Sequence, residues 1–289
     1  MLASLISAGL PIALILVMTG VGLGLTTQDF RRVVTEPKGF VVGALCQLAL
    51  LPLIAVAIIE VMGLSGGVAI GLFIIALCPG GSTSNLYSML AKGDVGLSVS
   101  LTAVIGFITP FTIPVLAAWA IERYADGADA FSLPIAKTMI QLLVVGVIPV
   151  IVGMMIRAKW TAFAQKAEPW VNRFSSAVLA LLIIAISIKL GGQLGDAFAA
   201  AGAGAIVLNL VTMAAGYAIG NWLLHREQQA RTIALEVGLQ NGTMALMITT
   251  GILQSAEMSM APIVYSLLMF VTATLFTIWV KRKPLPVAA

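Results

Sequence analysis

The sequence predicts an all-α integral membrane protein with about nine transmembrane helices. Three observations carry that prediction. Of 289 residues, 60% are hydrophobic and only 10% charged, whereas about a quarter of an ordinary soluble domain is charged. The apolar residues come in runs of roughly 20, the length an α-helix needs to cross a bilayer. The basic residues fall almost entirely on alternate connections between those runs. These connections are too short to hold a water-soluble domain, so residues 1–289 read as one transmembrane domain.

The first span, near 4–26, is MLASLISAGLPIALILVMTGVGLG. It lacks the basic leader and small-residue cleavage site of a secretory signal. No strand precedes its GVGLGL, so small residues packing helices closely is the better reading than a nucleotide loop. The second span, 37–61, carries Gln47 in its middle, in ALCQLALLP. The third, 67–91, is interrupted by CPGGSTSN, Cys78 to Asn85. The fourth, 95–122, sets Ser98 and Thr102 four residues apart, on one helix face. Spans 133–156, 171–190 and 200–223 rest on length and hydropathy. The eighth, 230–255, carries EVGLQNGT, Glu236 to Thr243, and the ninth covers 260–280.

Nine crossings put the two termini on opposite sides. With the amino terminus outside, the inner segments hold Arg31, Arg32, Lys38, Lys92, Arg157, Lys159, Lys166, Arg173, Arg226, Arg231, Lys281, Arg282 and Lys283. Only Arg123, Lys137 and Lys189 of the 16 basic residues fall outside, with the acidic ERYADGADA loop (Glu122, Asp126, Asp129). Lys and Arg collect in cytoplasmic loops, so the amino terminus is expected outside and the carboxyl terminus in the cytoplasm. The net charge of +4 has the same origin, and no nucleic-acid partner is expected. Cys46 and Cys78 lie in apolar spans and His225 is the single histidine, which argues against a disulfide framework or a Cys/His metal cluster.

The interruptions carry the chemistry. Pro79 has no amide hydrogen and frees carbonyls upstream; Gly80 and Gly81 let the backbone leave helical angles. Ser82, Thr83, Ser84 and Asn85 are residue types that cap a second half-helix, here running to about Leu90. Such unpaired backbone is accepted in a membrane only where it lines a protein-buried cavity. Carbonyls and hydroxyls suit a small hard cation, and a half-helix amino terminus suits an anion. Glu236 is the clearest acidic residue deep in an apolar span, and its natural partner is a cation or proton. Gln240 follows one turn later, and Asn241-Gly242 supplies the second break. Broken helices in two spans of opposite direction point to an inverted-repeat transporter.

Each feature also has a plainer reading. A hydroxyl in a membrane helix commonly bonds its own backbone, as Ser98 and Thr102 would. Gln47 would serve as glue between helices, Pro79 as a kink, and Glu236 as a protonated, packed carboxyl. Asn241-Gly242-Thr243 matches a glycosylation sequon, but its place inside a span makes that a chance match. Cys78 as a nucleophile lacks a general base, so no enzyme is expected. A non-transporting sensor leaves both breaks and Glu236 unexplained.

CPGGSTSN and EVGLQNG together make the chain resemble the bile acid:sodium symporter family from about Leu10 to its carboxyl end. GVGLGLTTQDF, the Gln47 and Leu51-Pro52 of CQLALLP, and AKGDVGLSVSLT add to the likeness. The resemblance implies a core domain with two crossed, unwound helices, a panel domain, and transport of an organic anion by alternating access. It implies two Na+ ions. One would be held by Ser84, Asn85, Ser98, Thr102 and Glu236; the other by Gln47, Glu236, Gln240 and the carbonyls of Val237 and Leu239. Nine spans resemble the animal members; several bacterial ones carry an additional leading helix.

Beside those ions, Ser82, Thr83 and Asn241 are expected to touch the substrate, a bile-acid-like or smaller carboxylate. Two sodium ions beside one carboxylate leave a local charge near +1, which an anionic substrate would neutralise. Some bacterial relatives place a His-Asn pair in the last span where this chain has Met269 and Phe270. An apolar wall there suits a substrate with hydrophobic bulk. The alternative keeps the fold and makes Glu236 a proton carrier in proton-coupled or exchange transport. The expected location is a bacterial inner (plasma) membrane. The oligomeric state is open, a monomer being sufficient for this mechanism.

Overall fold

The computed structural model describes residues 2–125, 133–190 and 194–283. Asp126 and Asp129 of the expected outer loop lie outside the described residues, as does the side chain of Lys189. Among the described residues the regular elements are all helices. In chain order they are α1 (Leu2–Gly24), α2 (Thr27–Thr35), α3 (Pro37–Met62), α4 (Gly66–Leu77), α5 (Ser82–Leu90) and α6 (Val95–Tyr124). There follow α7 (Ile135–Lys159), α8 (Thr161–Leu190), α9 (Leu194–Leu224), α10 (Glu227–Gly238), α11 (Gly242–Ile252) and α12 (Ala256–Lys281).

By length and apolarity, α3, α6, α7, α9 and α12 each suffice to cross a bilayer; α1 makes a sixth if it and α2 form one bent span. α4 is apolar and fully buried but only 12 residues long, too short to span alone, so it continues through its break into α5.

Local chemistry explains several boundaries. The chain turns by 68° between α1 and α2, a short amphipathic helix that hydropathy alone does not reveal. Its start is set by Thr26, whose N–H and hydroxyl donate to Asp29 Oδ2 at 2.7 and 2.8 Å, holding the first turn. α8 begins ten residues before the expected 171, because AFAQKAEPWVNR is helical though too polar to count as membrane-embedded. α3 and α7 each widen into a π-turn, Cys46–Leu50 and Leu143–Val147, two residues before Pro52 and Pro149. A proline cannot donate to the preceding turn and pushes its carbonyls aside, which the wider turn absorbs.

Packing divides the helices into two groups. α1, α7 and α8 pack chiefly on one another, while α4, α6, α9, α10 and α12 form the other group. Glycines permit the closest approach in the first group. A Cβ at Gly22 would collide with the Val150 carbonyl of α7, and one at Gly153 would meet the α1 backbone at Thr19 and Gly22. The packing role expected for GVGLGL is thus seen at Gly22.

Polar contacts tie the helix ends at two opposite levels. At one, Arg32 pairs with the Asp94 carboxylate at 2.9 Å and Gln229 donates to it at 3.3 Å. Arg231 at the same level donates to the Ala91 and Lys283 carbonyls at 2.9 and 3.1 Å. At the other, Arg123 pairs with Glu60 at 3.1 Å, and the Gly67 N–H donates to Glu257 at 3.1 Å.

Candidate functional site

Both interruptions are real breaks, and they meet. The residue before a proline is driven into extended backbone, and Cys78 accordingly has φ −70° and ψ 148°, ending α4. Gly81 is extended as well, with φ −137° and ψ −177°. In the other broken pair, α10 ends at Gly238 and α11 begins at Gly242. The two unwound segments cross antiparallel, Gly80 opposite Gln240, and the Asn241 N–H donates to the Pro79 carbonyl at 2.8 Å.

Glu236 sits in the last turn of α10, only 1% exposed. Thr102 Oγ1 donates to its Oε1 at 2.6 Å and Ser98 Oγ to its Oε2 at 2.9 Å. Their spacing of four aims both hydroxyls from one face of α6, so the plain reading of each bonding its own backbone does not hold here. Ser84 Oγ lies 3.4 Å from Thr102 Oγ1 while donating to the Gly81 carbonyl at 2.7 Å. Thr102 Oγ1 also lies 3.5 Å from Asn85 Oδ1. Ser84, Asn85, Ser98, Thr102 and Glu236, from α5, α6 and α10, therefore converge.

A second cluster adjoins the first. Gln47, in the π-turn of α3, donates through Nε2 to the Cys78 carbonyl and to Gln240 Oε1, both at 2.8 Å. Gln240 Nε2 donates to the Val237 carbonyl at 2.8 Å. Leu239 lies fully buried at the break between Val237 and Gln240. Gln47 is thus no mere glue between two helices; it binds one break to the other. These donors are oxygens with a single formal charge, and no group of three His, Cys, Asp or Glu occurs among the described residues. Such a set fits a hard monovalent cation rather than a transition metal.

Gly80 is pressed against this cluster. A Cβ there would collide with the Glu236 carboxylate and approach Ser84 Oγ to 3.3 Å, while one at Gly81 meets only Thr83 Oγ1, at 3.8 Å. Gly80→Ala is therefore expected to destabilise the fold by about 1–3 kcal/mol, the usual cost of overpacking, and Gly81→Ala to be nearly neutral. Denaturant or thermal unfolding in detergent compares the pair.

The amino end of α5 differs from expectation. Its N-cap is Gly81, and no side chain caps it: Ser82 is already helical and the Ser84 hydroxyl turns back to the Gly81 carbonyl. The polar run was expected to cap, but the helix starts one residue too early for it to do so. Ser82, Thr83 and Asn241 line a cavity of ≈ 300 Å³, together with Gln240, Thr243 and Ser266. Val17, Leu267, Met269 and Phe270 supply its apolar wall. Asn241 Oδ1 caps α11 by accepting from the Met244 N–H at 3.0 Å. Its Nδ2 and the Ser266 hydroxyl are buried with no hydrogen-bond partner among the described residues.

Three residues of this region were missed in the sequence. Asn209 Nδ2 and the Tyr265 hydroxyl donate to the Gly238 carbonyl at 2.8 and 3.1 Å, satisfying an acceptor that the end of α10 leaves free. Asn209, a lone amide in an apolar run, was a signal of the same kind as Gln47. Ser266, one hydroxyl among many, offered none. Cys78 is buried with its thiol on the Ile74 carbonyl at 3.3 Å, and His225 lies in the loop between α9 and α10.

Comparison with known proteins identifies the family. A family profile described as the Sodium Bile acid symporter family matches residues 11–196. A rice protein named Probable sodium/metabolite cotransporter BASS2, chloroplastic, is 31% identical over 80% of this chain and 54% of its own length. The Uncharacterized sodium-dependent transporter YocS of Bacillus subtilis is 27% identical over 85% of this chain and 74% of its own length. Human Sodium/bile acid cotransporter 4 is 29% identical over 93% and 62% respectively. The chain thus spans little more than half of the rice relative.

Proposed function

The chain belongs to the sodium bile acid symporter family, and from that premise we propose that it is a sodium-coupled symporter of an organic anion. The observation that carries the reading is the crossing itself. On it converge a buried carboxylate with three hydroxyls, a linked pair of glutamines, and a cavity with unpaired donors.

Two sodium ions fit the two clusters. Ser84, Asn85, Ser98, Thr102 and Glu236 take one; Gln47, Glu236, Gln240 and the carbonyls of Val237 and Leu239 take the other. The substrate carboxylate lies against Ser82, Thr83 and Asn241, with Ser266 as an added donor. Its hydrophobic bulk rests on Met269 and Phe270. Ions and anion then favour each other's binding, which is coupling in the thermodynamic sense. The grouping of α1, α7 and α8 apart from the helices that hold the ions supports alternating access, with the first group as panel and the second as core.

Nine crossings, with the amino terminus outside, accord with the two levels of end contacts. The level joining Arg32, Asp94, Ala91, Arg231 and Lys283 is then cytoplasmic, in a bacterial inner membrane.

The experiment is thermal stability of the purified protein against sodium, with potassium and choline as controls. It is followed by uptake of a panel of carboxylic acids into proteoliposomes. A ligand that binds only the folded state must raise the melting temperature as its concentration rises. Sodium-specific stabilisation, deepened by an acid that is also taken up in sodium, is expected. Uptake driven equally well in choline by a pH gradient would transfer Glu236 to the role of proton carrier. Small hydrophilic acids binding best would contradict the role given to the apolar wall.

A further inference from the structure

We propose that the groove between α9 and α12, whose lining shares no residue with the cavity at the crossing of the breaks, binds one anionic phospholipid. The groove encloses ≈ 450 Å³ and is lined by Leu210, Met213, Ala214, Leu275 and Phe276, with Tyr217 and Trp279 at one end. At that end the Lys283 ammonium lies 3.8 Å from the Trp279 ring centroid and 5.0 Å from that of Tyr217. It donates to the Tyr217 hydroxyl at 3.2 Å. An ammonium has three donors, so two are left to a ligand at the mouth. Lys281 and Arg282 are exposed beside it.

The charge at the mouth is one-sided. The nearby carboxylate, Glu227, already accepts from the Tyr217 hydroxyl at 2.8 Å and pairs with Arg231 at 2.9 Å. Among the described residues, no acidic one lines the groove. An apolar channel rising to two interfacial aromatics under a cation matches a lipid: acyl chain along Leu210 and Phe276, phosphate on Lys283. Lys159 provides the contrast. It stacks on Trp160 at 4.9 Å, but neither residue belongs to this groove.

The test is lipid retention in native mass spectrometry and by thermal stability, comparing phosphatidylglycerol with phosphatidylcholine of the same chains and with glycerol phosphate. One phosphatidylglycerol is expected to be retained preferentially, and glycerol phosphate not at all. Lys283→Ala is expected to weaken phosphatidylglycerol binding about fivefold, the effect of one interfacial cation, while Lys159→Ala leaves it unchanged. Ala214→Trp, which fills the groove from an exposed position, is expected to abolish retention without lowering the lipid-free melting temperature. Equal binding of both lipids, or retention by Ala214→Trp, would overturn the proposal. So would tighter lipid binding after removal of residues 284–289, which would make the chain's own tail the occupant. Loss of a dimer in Ala214→Trp would instead assign the groove to a second copy.

Discussion

Glu236→Gln protein is expected to fold and reconstitute, yet to need about a hundredfold more sodium for stabilisation and for uptake. Glutamine keeps the size of the side chain and one carbonyl oxygen for Thr102 or Ser98, so the hydrogen-bonded frame around α6 survives with one hydroxyl rotated. What disappears is the only formal negative charge in the cluster. A unit pair about 4 Å apart at an effective dielectric of 20 is worth roughly 4 kcal/mol. Desolvation takes back part of this, and a net loss of about 3 kcal/mol is roughly a hundredfold in affinity. Glu236→Asp separates charge from position: the charge remains, but a side chain one methylene shorter retreats from both hydroxyls, so an intermediate loss is expected. Melting temperature against sodium concentration and sodium-driven uptake in proteoliposomes read the same quantity. An unchanged sodium dependence in Glu236→Gln would remove Glu236 from the ion sites.

That the carboxylate stands beside a helix break was readable from the chain because local chemistry dictates it; that the two breaks cross was implied only by the family resemblance. Pro79 and the glycines behind it must break a helix wherever they fall, Asn241-Gly242 does the same, and a carboxylate one turn before the second break must be kept from lipid. Which oxygens meet it was half readable. The spacing of Ser98 and Thr102 shows that they share a face, but the residue opposite that face lies more than a hundred positions away. Ser266 and Tyr265 stand on a later helix than what they touch, Gly242 and the Gly238 carbonyl, and nothing in their neighbours marks them. The capping expectation for Ser82 to Asn85 failed for a smaller reason. Capping propensity names suitable residue types, whereas the start of α5 was decided by where the extended Gly80-Gly81 segment pairs with Gln240. Arg231 was the most deceptive residue. It counts as one more inner positive charge in the sequence, and in the fold it is completely buried.

Arg231→Ala is expected to lower stability by about 3–5 kcal/mol, the usual cost of removing one member of a buried pair. The guanidinium uses three edges at once: Nε to Glu227 at 2.9 Å, Nη1 to the Ala91 carbonyl at 2.9 Å and Nη2 to the Lys283 carbonyl at 3.1 Å. Those carbonyls belong to the ends of α5 and α12, where helices leave acceptors unpaired. One side chain on α10 therefore closes two other helices. Truncation leaves two carbonyls without donors and Glu227 with only the Tyr217 hydroxyl. Lysine carries its charge as a compact point and cannot present a planar fork, so Arg231→Lys is expected to recover less than half of the loss. Adding Glu227→Gln to Arg231→Ala is expected to restore part of the stability, because a carboxylate without its partner accounts for part of the penalty. A fully additive double variant would show instead that the two carbonyls carry the whole effect. Because Arg231 and Glu236 lie on the same short helix, the Arg231 variants should lower uptake through loss of folded protein. Their sodium dependence per folded molecule should stay near that of the natural chain, opposite to the pattern expected of Glu236→Gln.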